Sequence, residues 1–236
     1  MLNIIDIVIV MFILMGGILG MKRGVIKQGV LTIGMIFVLV LSFLLKNPIS
    51  KLMYTYLPFF TFGGLLKNIS SLNILLYEVI AFSVVFGVLS ALLIVLIKIS
   101  SIFQKIIKYT IVLALPSKIL GFILGIVEYY LIVFIILFIL STPAFNINQF
   151  DFVYESNLKN IVLEDTFGIS SIASKTLDTF KDVNKLIKDK DEMDDEEFNC
   201  EVLEVMIKNK FLDKESAKYL YKNDKIDSKC NINLNQ

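Results

Sequence analysis

The sequence predicts an all-α integral membrane protein, in which four transmembrane helices are followed by a helical, acidic C-terminal tail. Hydrophobic residues make up 56% of the chain and charged residues only 19%, and the mean hydropathy is +0.74. These values are more apolar than those of ordinary soluble domains. Residues 1–142 hold ten basic residues and three acids, whereas residues 143–236 hold thirteen Lys and nineteen acids. The net charges of +7 and −6 predict a basic transmembrane domain and an acidic extramembrane tail.

Four apolar runs are long enough to cross a bilayer core as helices, which takes about 20 residues at a rise of about 1.5 Å per residue. The spans are predicted at about residues 4–20, 28–45, 75–97 and 119–141. The first span is expected to be a permanent anchor rather than a secretory signal, because basic residues follow it and none precedes it.

The connection over residues 46–72 is expected to be an aromatic loop at the membrane interface. Pro48, Pro58 and Gly63 favour breaks in helical structure, and aromatic side chains suit the interface. Residues 98–109 carry Lys at helical spacing opposite apolar side chains, a pattern typical of an amphipathic helix. This helix would lie on an anionic membrane face or pack against the spans, and the sequence does not separate the two.

The distribution of basic residues predicts that both termini lie outside the cytoplasm. Short loops rich in Lys and Arg are retained in the cytoplasm. The first and third loops together hold seven basic residues, whereas the long second loop holds three. Besides the lipid bilayer itself, anionic lipid headgroups are the expected partners of the two cytoplasmic loops.

Small residues at a spacing of four follow one face of the first and fourth predicted helices. The first has Gly16, Gly20 and Gly24, and the fourth has Gly121 and Gly125. Small residues at this spacing allow helix backbones to approach closely in lipid. We expect each series to serve helix packing rather than ligand binding.

Three parts of the membrane half together resemble a known family. They are Asp6 in the first span, residues 20–24 (GMKRG) with Gly20, Lys22, Arg23 and Gly24, and residues 117–125 (SKILGFILG) with Gly121 and Gly125. They resemble the signature of the colicin V production (CvpA) family. The resemblance covers about residues 1–145. Family members often have a basic residue and another glycine where this chain has Glu128 and Tyr129.

The resemblance implies a small four-span protein of the bacterial inner membrane. It also implies a factor required to produce a secreted peptide toxin of the colicin V type, with a broader link to envelope homeostasis. It supplies a cellular process and no molecular mechanism.

Glu128 is the acidic residue that points most directly to function. It lies ten residues beyond Lys118, about 15 Å along a helix and near the midplane of a core about 30 Å thick. It also shares a helix face with Gly121 and Gly125. An ionisable group at this depth costs a few kcal/mol and is a functional candidate. The alternative is a protonated Glu128 that is hydrogen-bonded between helices, because no basic residue is expected at the same depth.

Three other charged residues in the membrane half have expected roles. Asp6 is expected to cap the first helix, whose N-terminal dipole favours a negative charge. Glu78 lies a few residues into the third span and is expected to reach the membrane interface. Arg23, the only Arg in the chain, can hold helix-end carbonyls or a lipid phosphate bidentately. The alternative is that Arg23 contributes only its charge to topology.

The tail is predicted to contain three amphipathic helices. Their apolar positions are Phe180, Val183 and Ile187, then Phe198, Val202, Val205 and Met206, and then Ala217, Leu220 and Tyr221. Asp194 or Asp195 is expected to cap the second of these helices. The acidic run at residues 189–197 lacks the ligand spacing of a calcium-binding loop, and we expect it to be a solvated charge run.

Cys200 and Cys230 form a possible disulfide. A hairpin that turns at residues 210–213 would bring the end of the chain beside the second tail helix, and disulfides persist in compartments outside the cytoplasm. The alternative is two unrelated thiols.

The composition excludes several classes of enzyme. The chain contains no His and only two Cys, which excludes His-dependent catalytic triads, His zinc sites and four-Cys metal sites. We therefore expect no enzymatic activity, no catalytic residue, no cofactor, no metal site and no nucleic-acid partner.

Two functions follow as hypotheses. The first is a non-enzymatic scaffold or accessory factor for toxin production or export and envelope homeostasis, whose tail docks an envelope protein. The second is a small channel or transporter with Glu128 in its pathway. Polar residues are few in the spans, which argues against a wide aqueous path within one monomer, although a homo-oligomer could build one.

Overall fold

The computed structural model of the protein describes residues 4–63, 69–107, 114–143, 157–164, 169–190, 193–225 and 230. Within these stretches the chain forms eight helices and no strand: α1 (Ile4–Arg23), α2 (Val25–Tyr56), α3 (Ser71–Ile107), α4 (Ala114–Leu140), α5 (Asn157–Glu164), α6 (Ile169–Lys188), α7 (Asp195–Lys208) and α8 (Lys214–Lys222). Helices α1 to α4 each contain a stretch long and apolar enough to cross a membrane. The predicted all-α membrane fold with a helical tail is confirmed.

A single residue, Gly24, separates α1 from α2. Its φ of +77° lies in the left-handed region, which glycine adopts at little cost. The N–H of Gly24 donates to the carbonyl of Gly20 at 2.9 Å, and the N–H of Gln28 donates to the carbonyl of Gly24 at 3.0 Å. Helical hydrogen bonding therefore continues up to this glycine and resumes directly from it.

Helix α2 is longer than predicted, because it continues through Pro48 to Tyr56. The prediction of a loop with a break at Pro48 was wrong for this part of the chain. A proline removes one N–H from the helix, and membrane helices tolerate this loss where neighbouring groups hold the backbone. After Pro48, the side chains of Ser50 and Tyr54 both donate to Glu78 on α3. These hydrogen bonds hold the end of α2 in place.

Helix α3 continues without interruption from the third span to Ile107. The amphipathic segment predicted at residues 98–109 is therefore the last part of α3 as far as residue 107. Residues 108 and 109 lie outside the described stretches.

One compact unit consists of Met1–Leu44, Ser83–Phe138 and Asp151–Thr166. Aromatic rings fill part of its interior. Phe12 of α1 lies against Tyr129 of α4, with ring centroids 4.9 Å apart. Phe43 of α2 meets Phe138 of α4 edge to face at 5.2 Å. Helix α4 is thus packed against both α1 and α2 in this first unit.

A second compact unit consists of Leu45–Phe82, Ile139–Phe150 and Phe167–Gln236. Tyr54, Tyr77, Phe180 and Phe198 are among its fully buried large side chains. The unit therefore combines the end of α2 and the start of α3 with most of the tail. The predicted division at residue 142 concerns which residues enter the bilayer, and it stays a prediction.

Aspartates cap the last two tail helices. Asp194 accepts the N–H of Glu197 at 2.7 Å at the start of α7, so Asp194 rather than Asp195 is the cap. Asp213 accepts the N–H of Ser216 at 2.8 Å at the start of α8. Partial burial raises the pKa of Asp213, but the hydrogen bonds from Ser216, the charge of Lys51 and the backbone of Glu215 lower it, and the pKa lies below its ordinary value of 3.8.

Candidate functional site

Helices α1 and α4 touch through their glycines. A methyl group built on Gly20 would lie 2.0 Å from the carbonyl oxygen of Gly121, and one built on Gly121 would lie 2.5 Å from the carbonyl oxygen of Gly20. A methyl group on Gly125 would lie 2.3 Å from the carbonyl oxygen of Gly16. The obstructing atoms belong to the backbone, which cannot turn aside as a side chain does. These four glycines therefore form the packing surface between α1 and α4.

Glu128 lies on α4, two turns beyond Gly121, and is buried. Arg23 donates through Nη1 to Oε2 of Glu128 at 2.9 Å, and Gln28 donates through Nε2 to the same oxygen. The Nη1 group of Arg23 also donates to Oε1 of Gln28 at 3.3 Å. Side chains from α1, α2 and α4 thus meet at one carboxylate.

Thr32 extends this arrangement along α2. Its Oγ1 accepts from Nε2 of Gln28 at 3.4 Å and donates to the carbonyl oxygen of Leu124 at 3.1 Å. Gln28 and Thr32 are both buried. We refer to Arg23, Gln28, Thr32 and Glu128 as the Glu128 cluster. Buried polar networks whose members are satisfied make the surrounding core more rigid.

The expectation that no basic residue lies at the depth of Glu128 was wrong. Arg23 ends α1, but its long side chain reaches back from the helix end to the carboxylate, and its exposed fraction is 31%. Spacing along one helix does not reveal this, because long basic side chains are free to extend along the membrane normal. In the structure Glu128 is paired with Arg23, and it is also hydrogen-bonded between helices through Gln28.

A second buried carboxylate, Glu78 of α3, lies in the second unit. It accepts hydrogen bonds from Lys46, from Ser50 at 2.6 Å and from Tyr54 at 2.6 Å. The three donors follow one another at a spacing of four on α2. The carboxylate is enclosed because α2 continues into the predicted loop as far as Tyr56. The expectation that Glu78 reaches the membrane interface stays a prediction. We refer to these four residues as the Glu78 cluster.

Residues of the tail contact the same part of the second unit. Nζ of Lys46 lies 5.0 Å from the ring centroid of Phe211, close enough for a cation–π interaction. Asn199 of α7 accepts the N–H of Ser71, the first residue of α3, at 2.9 Å. Within this unit the tail therefore covers the Glu78 cluster and caps α3.

Cys200 and Cys230 are joined as a disulfide with a Cα–Cα distance of 5.2 Å, which is ordinary for such a bond. Tyr221 donates through its hydroxyl to the carbonyl oxygen of Cys230 at 3.3 Å. The end of the chain is thus returned to α7, as the predicted hairpin requires. The alternative of two unrelated thiols is not the arrangement found.

Comparison with known proteins identifies the family. The family model described as colicin V production protein matches residues 5–165. This chain belongs to the colicin V production protein (CvpA) family. The match extends beyond the region of about residues 1–145 on which the resemblance rests, and it includes α5. The uncharacterized transmembrane protein YshB of Bacillus subtilis (strain 168) is 30% identical over 171 residues, which cover 71% of this chain and 94% of the relative. No solved structure matches the chain.

The family motifs of this CvpA protein lie at the start of α1, at the α1–α2 turn and near the start of α4. Asp6 is buried in the first turn of α1 and accepts the N–H of Leu158 at 3.4 Å, which ties α5 to α1. Ser117 accepts the N–H of Val25 at 3.2 Å. Lys22 is exposed and lies outside the Glu128 cluster. Ser117 and the glycines thus hold helix ends together beside the Glu128 cluster, whereas Asp6 ties α5 to the opposite end of α1.

Five members of the two clusters, and Asn199, which accepts the first N–H of α3, were not identified from the sequence. They are Gln28, Thr32, Lys46, Ser50, Tyr54 and Asn199. A signal existed for part of the set, because Lys46, Ser50 and Tyr54 are polar at a spacing of four, as one face of a helix requires. This pattern was not recognised, because Pro48 predicts a break in the helix at that point. Nothing in the sequence indicated Gln28 or Asn199, whose partners lie 100 and 128 residues away along the chain.

Proposed function

We propose that this CvpA-family protein is a non-enzymatic accessory factor of the bacterial plasma membrane. It supports the production or export of a secreted peptide toxin and the upkeep of the cell envelope. Of these roles, the family's description names colicin V production. Its membrane spans serve as a rigid support, and an envelope protein is the proposed partner of the outer surface of the tail.

The glycine contact between α1 and α4 carries this proposal. Gly20 and Gly121 bring two backbones together, and Arg23 and Gln28 occupy the carboxylate of Glu128 beside them. An enzyme needs a reactive group that is open to substrate, and a channel needs a hydrated path between its helices. The close backbone contact between α1 and α4, and the pairing of Glu128 with Arg23, instead favour a structural role.

A deletion strain that secretes a colicin V-type peptide tests this role. We expect deletion to lower toxin in the medium and to increase sensitivity to envelope stress. Wild-type protein and a Gly87→Leu variant should restore both, because nothing lies within 4 Å of a methyl group built on Gly87. A Gly121→Leu variant should not. Unchanged secretion and unchanged stress sensitivity in the deletion strain would contradict the proposal.

A channel or transporter is the second candidate. The observation that favours it is the line of polar side chains along the contact between α2 and α4, formed by Gln28, Thr32 and Glu128. Ion and solute flux into proteoliposomes of purified protein, compared with a Glu128→Gln variant, separates the two functions. If the wild type shows ion or solute flux and the Glu128→Gln variant does not, the protein is a channel or transporter rather than an accessory factor.

We also propose that both termini lie outside the cytoplasm, in accord with the basic loops. Single Cys probes on a background without Cys200 and Cys230 test this in intact cells. A membrane-impermeant reagent should label a probe at Ser228 and leave a probe at Val25 unlabelled until the membrane is permeabilised. The reverse labelling pattern would show that both termini lie in the cytoplasm.

A further inference from the structure

Three helix ends of the first unit gather basic side chains at one place. The N–H of Val25 at the start of α2 donates to Ser117 near the start of α4, and Gly20 near the end of α1 contacts Gly121 of α4. The basic residues carried by these ends are Lys22, Arg23, Lys27 and Lys118. We refer to these four residues as the basic cluster.

The charge of the basic cluster is only partly neutralised within the described stretches. Lys22, Lys27 and Lys118 are exposed, and no described carboxylate pairs with them. Arg23 engages Glu128 and Gln28 through Nη1 alone, although a guanidinium offers five donors. Its side chain is partly exposed. The arrangement therefore holds Arg23 in a fixed position with donors to spare, beside three lysines.

Apolar side chains stand directly beside the basic ones and face outward. Ile26, which precedes Lys27, is 68% exposed, and Ile119, which follows Lys118, is 57% exposed. A small soluble anion makes no use of such neighbours. An anion that carries acyl chains gains from both surfaces, because its chains lie along the apolar side chains while its headgroup meets the cations.

We propose that the basic cluster is a binding site for the phosphodiester headgroup of an anionic phospholipid. The free edge of the Arg23 guanidinium takes two phosphate oxygens, and the three lysines add attraction as point charges. The acyl chains lie along Ile26 and Ile119. This site specifies the lipid partner of the protein and does not depend on the proposed accessory role, because its occupancy is measured on purified protein.

The test is lipid binding to full-length protein in detergent. Native mass spectrometry counts bound lipid during titration with phosphatidylglycerol or with zwitterionic phosphatidylcholine. We expect tighter binding of phosphatidylglycerol. The triple variant Lys22→Gln, Lys27→Gln and Lys118→Gln should weaken it about a hundredfold, at roughly fivefold for each basic residue near a lipid surface. Phosphatidylcholine binding should stay unchanged.

A second triple variant controls for net charge. It replaces three exposed tail lysines, Lys208→Gln, Lys218→Gln and Lys222→Gln, and should bind phosphatidylglycerol as the wild type does. Equal binding by the wild type and the first triple variant would overturn the proposal. So would equal losses in the two triple variants, which would mean diffuse charge attraction. Displacement of the lipid by millimolar inorganic phosphate would show that the site takes free phosphate rather than a lipid.

Discussion

Two buried carboxylates of the protein, Glu128 and Glu78, are held by different cations. In the first unit Glu128 pairs with Arg23, whose side chain is 31% exposed. In the second unit Glu78 pairs with Lys46, whose side chain is only 9% exposed. A guanidinium stays charged under all physiological conditions and presents a planar set of donors, whereas an ammonium is a compact and strongly hydrated point charge.

This difference in exposure predicts different effects on stability when the acid of each pair is removed. The side chain of Arg23 is partly exposed, so water can solvate its charge if Glu128 is removed. Lys46 is buried between Glu78 of α3 and the ring of Phe211, and no other described carboxylate pairs with it. Stability of the second unit should therefore depend on Glu78 more strongly than stability of the first unit depends on Glu128.

Loss of Glu78 is expected to have the largest effect. Glu78→Leu leaves the ammonium of Lys46 buried without its acid and leaves the hydroxyl of Tyr54 without its acceptor, whereas Ser50 keeps the carbonyl of Asn47. This should cost about 3–5 kcal/mol of unfolding free energy. Denaturant unfolding of purified protein in detergent measures it. Glu128→Leu, the matched change in the first unit, should cost about 1–3 kcal/mol, since Arg23 can turn outward. Equal costs would remove the distinction between the two pairs.

A double variant separates the effect of an unpaired charge from that of lost packing. Lys46→Met with Glu78→Leu removes both charges and keeps similar volumes, so most of the stability lost in Glu78→Leu should return. If the double variant is as unstable as the single one, the hydroxyl contacts of Ser50 and Tyr54 matter more than the ion pair.

The disulfide is expected to have the next largest effect, and only on the second unit, which contains both cysteines. A closed loop of about 30 residues should stabilise the tail by about 3–4 kcal/mol in the chain-entropy model. Reductant should therefore lower the unfolding temperature of the wild type and leave that of Cys200→Ser with Cys230→Ser unchanged. Alkylation of protein taken from cells without reductant checks that the bond forms. Two free thiols would contradict the bond and weaken the case for an external tail.

The transmembrane helices and the glycine contact were predictable because each depends on local composition or spacing. Apolar runs of about 20 residues identify spans, and Gly20 and Gly121 belong to series that permit close packing. The ends of α2 and α3 were less predictable. Proline usually ends a helix, and the donors that keep α2 helical after Pro48 act only through an acid on another helix.

The partners of Glu128 and Glu78 were not predictable either, because they lie on other helices. Arg23 lies 105 residues from Glu128 along the chain, and helix spacing places each residue on a face without stating which neighbour it meets. The helix face shared with Gly121 and Gly125 placed Glu128 correctly inside the protein, and its position near the midplane stays a prediction. The depth argument failed for Arg23, because the side chain of a residue at a helix end does not stay at the level of its Cα atom.

The contact between α1 and α4 supplies the third prediction, in which one glycine is compared with another. Gly121→Ala places a methyl group 2.5 Å from the carbonyl of Gly20, whereas Gly87→Ala places one where nothing lies within 4 Å. Forcing the helices apart should cost about 1–3 kcal/mol. Both changes gain the same helix propensity, about 1 kcal/mol, so Gly87→Ala should be neutral or stabilising. Similar unfolding temperatures for the two variants would show that the backbones need not touch.

Arg23→Lys is expected to have the smallest effect, and it tests whether the two cations are interchangeable. Nη1 of Arg23 serves Glu128 and Gln28 together from a planar group whose orientation is fixed. An ammonium keeps the charge but loses this planar geometry. We expect a loss of about 1–2 kcal/mol in unfolding free energy, with unchanged topology by Cys labelling. Lys27→Arg, an exchange at an exposed position, should change neither. If Arg23→Lys unfolds as the wild type does, the Glu128 cluster requires only a positive charge, and the contrast with Lys46 rests on burial alone.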